Sequence, residues 1–545
     1  MTGGWAAKEL SEKGLKTLVL ERGRDVKHLD YPTTNLHPWE FPHRMLDTRA
    51  VKENYPVQST NYAFSEATKH FYVNDKENPF THPVDQPFRW IRGYQVGGRS
   101  LIWGRQCYRW SELDFEANAR EGIGTDWPIR YKDIEPWYSY VERFIGVSGQ
   151  RENLPQLPDS EFLPPMAMNC VEQELKKSIQ KNWSDRTLIM SRIAHLTQPH
   201  NGRGTCQYRN LCERGCPYGA YFCSNSATLP AAYKTGNLTL RPHSIVHSII
   251  YDETKDRATG VRVLDAESGD MLEFEARIIF CCASTLGTTW LLMHSATPRF
   301  SEGLANSSGV LGHYLMDHHK LVGARGGYPG LDNKVARGHR PCGVHVPRFR
   351  NLKEQHPDFL RGYGIWGGAY RAGTGRKPNT AGFGAAFKEE ITKPGPWEVN
   401  IYSYGECLPY FDNKAELNDD VKDKWGLPTL RISAKFRDNE MAMRKDMKAQ
   451  CIEILDASGC TNVEPWENEN IPGFSVHEMG TARMGKDPKT SVLNAHNQCH
   501  DIPNLFITDG SCMASSAYQN PSLTYMALTA RACQYAVEQM KRQEI

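Results

Sequence analysis

The first apolar segment, LKTLVL at residues 15–20, reads as a short strand. The stretch before it, from about Trp5 to Lys13, spaces its apolar positions as a helix does, with Gly14 at its end. Residues 30–90 lose this periodicity. They are polar and rich in Pro, Asn and aromatics, which predicts long irregular excursions over a surface. RWIRGYQVGGRSLIWGR (89–105) places a glycine-rich turn between apolar segments, and DWPIRYKDIEPWYSYVERFIGV (126–147) predicts a turn followed by an amphipathic helix from about Lys132. From 237 to 282 the pattern alternates as a β meander in three pieces, NLTLRPHSIVHSIIYD, ATGVRVLDAESGD and MLEFEARIIFCCAS, and 286–294 is helical. The block 313–470 is punctuated by Gly and Pro. It carries strands such as WEVNIYSYGE and LPTLRISAKF and a helix near 438–458, and reads as a separate α+β domain. The last 70 residues have α/β texture: NLFITDG is a strand ending in Asp-Gly, and SLTYMALTARACQYAVEQM is a helix. There is no internal repeat.

Bulk numbers narrow the class. A chain of 545 residues exceeds what one core supports, so two or more domains are expected. Hydrophobic residues at 39%, charged residues at 23% and a net charge of +2 with mixed signs fit a soluble globular protein and give no nucleic-acid surface. No apolar run approaches 18 residues, so no transmembrane helix is expected. The 15 cysteines are not spread as a secreted disulfide framework; four fall within residues 206–223.

The opening helix and strand are the second half of a βαβ unit. Glu21, at the end of the strand, stands where a Rossmann unit places the acid that bonds a ribose hydroxyl. If Gly3 is the last glycine of the phosphate-binding turn, the first would fall about 23 residues before the acid, near the ~20 expected. The first strand and the leading glycines would then lie upstream of Met1, and the fold would be truncated at its start. The competing reading is an ordinary N-terminal helix and strand.

The C-terminal block carries SVHEMGTARMG (475–485), NLFITDGS (504–511) and QNPSLTYMAL (519–528). With the N-terminal half-fingerprint and QVGGRSLIWG, these motifs resemble the glucose-methanol-choline (GMC) family of FAD-dependent oxidoreductases, in the right order over nearly the whole chain. The resemblance implies an α/β, Rossmann-like FAD-binding domain (1–312, returning at 471–545) with an α+β substrate domain (313–470). It implies Gly3 and Gly4 at the dinucleotide pyrophosphate, Glu21 on the adenosine ribose and Gly97-Gly98 against the flavin. Asp509-Gly510 would lie by the pyrophosphate and ribityl chain, with Val246 and Pro521 completing the cofactor set. Ile102 stands where some relatives carry a covalently linked His, so FAD is expected to be non-covalent. His477 would take the substrate hydroxyl proton, a role suited to imidazole, and Asn520 would bond the substrate oxygen. His477-Glu478 is not a zinc H-E-x-x-H motif, because position 481 is Thr.

The cysteine segment has the spacing C206-x5-C212-x3-C216-x6-C223, with Pro after Cys216. Zinc sites usually pair short C-x-x-C knuckles, absent here, whereas iron–sulfur sites tolerate C-x3-C and a following Pro. The segment resembles that of bacterial fructose and glucose dehydrogenase subunits, which implies Cys206, Cys212 and Cys216 as ligands of a 3Fe–4S cluster. Cys223 as a fourth ligand would allow 4Fe–4S. A disulfide or zinc knuckle is the competing reading. Cys281 and Cys282, at the end of an apolar strand, are expected to be core thiols.

The His/Asn pair, the cysteine segment and the absence of a covalent His resemble the branch of the family acting on pyranose secondary hydroxyls, which implies an enzyme oxidising a secondary hydroxyl of a sugar or glycoside, C3 of a glucoside first. Electrons would pass through the cluster to a cytochrome or quinone, with a small partner subunit and a periplasmic or cytoplasmic location. A gluconate- or fructose-type dehydrogenase, an oxidase using O₂ of pyranose-oxidase type, and a non-catalytic FAD-binding or electron-transfer subunit are the alternatives.

Overall fold

A computed structural model of the chain describes residues 1–46, 48–336, 338–371 and 382–545; residues 47, 337 and 372–381, within the irregular segment and the middle block, lie outside the described residues. The opening helix spans Thr2–Glu12 and the strand after it Thr17–Leu20, with Gly14 turning the chain between them at φ +88°. Trp5, Ala6 and Ala7 are buried, and Trp5 packs edge-on against Tyr140 and Phe144. Lys8 is also buried, its ammonium bonded to Glu9, Glu12 and the Tyr140 hydroxyl. Helices Thr228–Lys234 and Ser522–Lys541 pack against this helix.

The meander is shorter than its alternation suggests. Ser244–Asp252, Arg257–Asp265 and Met271–Glu275 form an antiparallel three-stranded sheet. Its flanking pieces leave it. Leu238–Arg241 pairs in parallel with Thr17–Leu20, and Ile279–Cys281 pairs in parallel with Leu505–Ile507. Alternation reports one buried face, and an edge strand of either sheet shows it equally. The pairings bring the start, middle and end of the chain into one α/β body.

The middle block builds a six-stranded antiparallel sheet. Its order is Thr461–Glu467, His319–Tyr328, Trp397–Gly405, Tyr363–Arg371, Val344–Val346 and Ile189–Met190. Helix Asp438–Ala457 covers one face through Met443, Met447, Cys451 and Leu455. The sheet also recruits chain from before residue 313: its last strand, Ile189–Met190, and helix Cys170–Asn182, whose Val171, Leu175 and Ile179 join the same core. In strand Trp397–Gly405, Trp397, Val399, Ile401 and Ser403 are buried on the helix side. Asn400, Tyr402 and Tyr404 point the other way, as period-two side chains must. Among the described residues no helix is long and apolar enough to cross a membrane.

Candidate active site

The two bodies are stitched together beside this open face. Met316 and Met479 exchange backbone hydrogen bonds, each N–H donating to the other's carbonyl at 2.9 Å. That bridge places Asp317 under the loop 473–477. The buried Asp317 carboxylate accepts from the backbone N–H groups of Gly473 (2.8 Å), Ser475 (3.1 Å) and His477 (3.1 Å), and from the Ser475 hydroxyl. Four donors on one carboxylate fix the loop that carries His477. Burial and the nearby Glu478 carboxylate push the Asp317 pKa up.

His318, the next residue, is buried edge-on to His477, with Nδ1 2.9 Å from His477 Nδ1. Its Nε2 faces the carbonyls of Ala517 (2.9 Å) and Ser516 (3.2 Å). Burial lowers the His318 pKa to about 4, so the ring is neutral at pH 7 and has one N–H. Two carbonyls at Nε2 require that hydrogen there, which leaves Nδ1 as an acceptor. His477 Nδ1 must then be the donor, and the lone pair of His477 lies on Nε2. This tautomer is assigned from the hydrogen-bond pattern. Nε2 lies 3.2 Å from Asn520 Nδ2, whose N–H it accepts. Burial, and then His318, Lys320 and Arg99, hold the His477 pKa well below the imidazole value. The result is a neutral imidazole whose basic nitrogen, Nε2, faces the Asn520 amide.

His477 and Asn520 open onto a cavity of about 1240 Å³. It exceeds the about 300–1,000 Å³ of ordinary small-ligand pockets. Gly3, Gly4 and Glu21 line it, as do Gly97, Gly98 and Val246, and Asp509, Gly510 and Pro521. It also runs between the two parallel strand pairs, along Thr17–Leu20 and Ile279–Cys281.

The local reasons differ from residue to residue. Helix Thr2–Glu12 has no side-chain cap, so its first N–H groups are available to an anion. A Cβ on Gly4 would come within 2.6 Å of the Ser224 and Thr228 hydroxyls, whereas one on Gly3 would meet Cys282 at an ordinary 3.5 Å. Gly4 therefore serves helix packing, and Gly3 leaves its wall open. Gly97 has φ +96°, and a Cβ there would lie 2.0 Å from Asn225 Oδ1. Glu21 accepts from the Gly23 N–H (2.9 Å), and burial raises its pKa to about 7. Asp509 is committed internally, accepting from the Thr288 hydroxyl (2.5 Å) and from the Ser511 hydroxyl (2.6 Å) and N–H (3.0 Å). Arg99 forks onto Glu478 (2.9 and 3.2 Å), clamping the glycine turn to the His477 loop. The buried Ser224 Oγ and Thr228 Oγ1 have no partner among the described residues. An uncapped helix N-terminus, glycine turns and the unpartnered Ser224 hydroxyl at the cavity wall fit the phosphates and sugar of a dinucleotide.

The cysteine segment departs from expectation. All fifteen cysteines are free thiols. Cys206, Cys212 and Cys216 are half-buried. Burial pushes the Cys212 pKa up to about 11, and the neighbouring Cys206 and Cys216 add to that rise. But Cys206 Sγ accepts the Tyr208 N–H (3.5 Å), Cys212 Sγ lies 3.7 Å from His195 Nε2, and the buried Cys223 donates to the Ser226 hydroxyl (3.2 Å). Among the described residues no group of three or more His, Cys, Asp or Glu side chains could hold a metal ion. The four-thiolate site expected of Cys206, Cys212, Cys216 and Cys223 is therefore not formed. Neither disulfide nor zinc knuckle replaces it. Cys281 is a buried thiol of the main core that also touches the cavity, and Cys282 lines the cavity 3.5 Å from the Thr508 hydroxyl.

Sequence reasoning missed Asp317, His318, Lys320 and Arg99. The run MDHHK (316–320) holds three of them, but nothing local distinguishes it from a polar turn, because its partners lie about 160 residues away.

Two family models described as GMC oxidoreductase match the chain, over residues 76–320 and 409–529. The chain is 28% identical to 2-methyl-1,2-propanediol dehydrogenase of Mycolicibacterium austroafricanum, over 98% of this chain and 93% of that protein. It is 27% identical to the fructose dehydrogenase large subunit of Gluconobacter japonicus, over 99% of this chain and 96% of that protein. Among solved structures, pyridoxine 4-oxidase from Mesorbium loti shares the fold with a TM-score of 0.60 at 14% identity, covering 98% of this chain and 96% of that one.

Proposed function

The chain belongs to the GMC oxidoreductase family, enzymes acting on alcohol or sugar CH–OH groups, and from that premise we propose that it is an FAD-dependent dehydrogenase oxidising a secondary hydroxyl of a sugar or glycoside. C3 of a glucoside is the first choice of position. The observation that carries the reading is the neutral His477, its Nε2 lone pair turned to Asn520 at the wall of the large cavity.

FAD, when bound, supplies the two-electron acceptor for the hydrogen on the carbinol carbon. Met1–Gly4 and the Gly97-Gly98 turn would hold it through backbone, and Glu21 through its carboxylate. With Ile102 before Trp103, no histidine is offered for a covalent link. A substrate hydroxyl between His477 Nε2 and the Asn520 amide would give its proton to Nε2 while Asn520 Nδ2–H bonds the oxygen. Asp317 and His318 hold the imidazole in place and in the right tautomer. The test is an anaerobic panel of sugars and glycosides scored by bleaching of the flavin absorbance. Reduction by a secondary-hydroxyl sugar is expected. A flavin left oxidised by every sugar, but reduced by small diols such as the one named for the first relative, would overturn the sugar reading.

For electron exit we propose an iron–sulfur cluster on Cys206, Cys212 and Cys216 that passes electrons to a cytochrome or quinone; to hold it, Cys206 and Cys212 would have to leave their contacts with Tyr208 and His195. Its support is the C-x5-C-x3-C-P spacing and the likeness to a dehydrogenase large subunit. Iron analysis of the purified protein is expected to give about three or four irons per chain. An iron-free, fully active protein would remove the relay and leave an oxidase-like enzyme.

A further inference from the structure

Lys320 helps to hold the His477 pKa down, but none of its three N–H donors has a use in the chemistry described above. Only two lysines are buried among the described residues, Lys8 and Lys320. Lys8 is bonded to Glu9, Glu12 and Tyr140. Lys320, 6% exposed, has no hydrogen-bond acceptor and no carboxylate within ion-pair distance among the described residues. Its strand register sets it directly opposite Tyr404, and it lines the cavity. Three rings surround the ammonium: Phe474 at 4.9 Å, Tyr404 at 5.8 Å and Tyr62 at 5.9 Å from Nζ to ring centre. Rings stabilise a cation but accept none of its N–H bonds in the way an oxygen does.

The two carboxylates whose charge reaches it are committed elsewhere by hydrogen bonds. Asp317 accepts four donors from the His477 loop, and Glu478 is forked with Arg99. A second cation lies nearby. Arg105, 4% exposed, also lines the cavity, with Nε and Nη1 buried and unpartnered, a 3.4 Å contact to Glu213 and the Tyr221 ring 5.3 Å away. A desolvated ammonium with unused donors, facing an open cavity, is complementary to an anion that arrives with the ligand.

Distance to the chemistry limits what that ligand is. The Tyr404 ring is 6.1 Å from the His477 ring and 5.8 Å from Lys320 Nζ. The imidazole and the ammonium therefore both border the Tyr404 ring, and one small molecule lying along that ring reaches both.

We propose that the substrate is a sugar acid, an aldonate or uronate, whose carboxylate pairs with Lys320 while its hydroxyl meets His477 and Asn520. This rests on the sugar-oxidising reading above and narrows it. The carboxylate is spectator to the redox step: the C–H and O–H bonds of the carbinol break, and the carboxylate leaves unchanged.

The test uses the FAD-loaded enzyme with matched pairs: D-gluconate against D-glucitol, and methyl β-D-glucuronide against methyl β-D-glucoside. One acid is expected to exceed its neutral partner in kcat/KM by about 30-fold or more, mainly through KM. Lys320→Met and Lys320→Gln should erase that preference, and Lys320→Arg should keep much of it. The same pairs are titrated calorimetrically into dithionite-reduced enzyme, where binding is read without turnover. Tighter binding of the acid, lost in Lys320→Met, supports the site even if the position oxidised is misassigned. Equal use and equal binding of acid and neutral partners would overturn it. So would a Lys320→Met variant weakened equally towards both. Failure of every sugar to reduce the flavin would strike the sugar-oxidising reading instead, with the titration still deciding the carboxylate site.

Discussion

His318 decides which nitrogen of His477 carries the proton, and the effect should be measurable. Replacing His477 by Ala should keep FAD bound and cut turnover by about 10²–10⁴-fold, the range for a positioned general base. His318→Gln is the subtler probe, because the amide oxygen can still accept from His477 Nδ1 while the carbonyls of Ser516 and Ala517 lose an imidazole donor. A kcat loss smaller than that of His477→Ala, with KM little changed, is expected. The pH profile separates this from general damage. The base must be unprotonated, and His477 is held well below the ordinary imidazole value by burial first and His318 second. In the wild type kcat/KM should stay level through about 6.5, the unperturbed value, and fall only in more acid solution. In His318→Gln the acid limb should move up towards 6.5. An unmoved limb with a large kcat loss would mean that His318 acts only through packing. His477 and Asn520 were legible because each sits in a short local motif. Asp317 and His318 were not, because what they do depends on chain about 160 residues away.

At the scale of elements, legibility followed the range of the force involved. Helices are set by neighbours three and four positions away, so Thr2–Glu12, Tyr131–Ile145, Asp438–Ala457 and Ser522–Lys541 fall close to where the apolar spacing put them. Strands were found as strands, but their partners were not. Leu238–Arg241 and Ile279–Cys281 carry the same alternation as the meander between them and pair instead with residues 17–20 and 505–507. Strand Trp397–Gly405 shows what alternation does carry. Its buried set, Trp397, Val399, Ile401 and Ser403, fixes the opposite set, Asn400, Tyr402 and Tyr404, on the cavity side. A one-residue slip would turn Tyr404 into the core and remove a ring from the Lys320 cage. The cysteine segment is the contrary case. Its spacing is a strong local signal, yet the side chains satisfy themselves on Tyr208, His195 and Ser226 rather than converging.

Across the whole molecule, segment 514–520 is held from both bodies, and Arg361 is the residue that joins them. Its buried guanidinium bonds Glu121 at the end of helix Glu112–Glu121, Glu406 at 2.8 Å just past strand Trp397–Gly405, and the Asn118 side chain at 2.7 Å. Asn118 in turn donates to the Ala514 carbonyl (2.9 Å), and Gln519 donates to Asp114 (2.9 Å), one residue before Asn520. Arg361→Met would leave the buried Glu406 carboxylate without this cation. A loss of up to about 3–5 kcal/mol is expected, read from the urea midpoint, because a buried carboxylate left with only the weaker pull of Arg348 costs more than the pair contributes. Arg361→Met combined with Glu406→Gln should recover part of that loss, since the orphan is then uncharged. The pH dependence follows from the sign of the shift. Burial raises the Glu406 pKa to about 7 against the pull of Arg361, so the folded state holds this proton more tightly than the unfolded chain. Its contribution to stability is present below the unfolded value of about 4.3 and is lost as pH rises through about 7. Without Arg361 the carboxyl protonates more readily still. The gap between the single and double variants should therefore narrow from pH 8 to pH 5. A gap that is absent, or that widens in acid, would show that Glu406 does not depend on Arg361 for its charge balance.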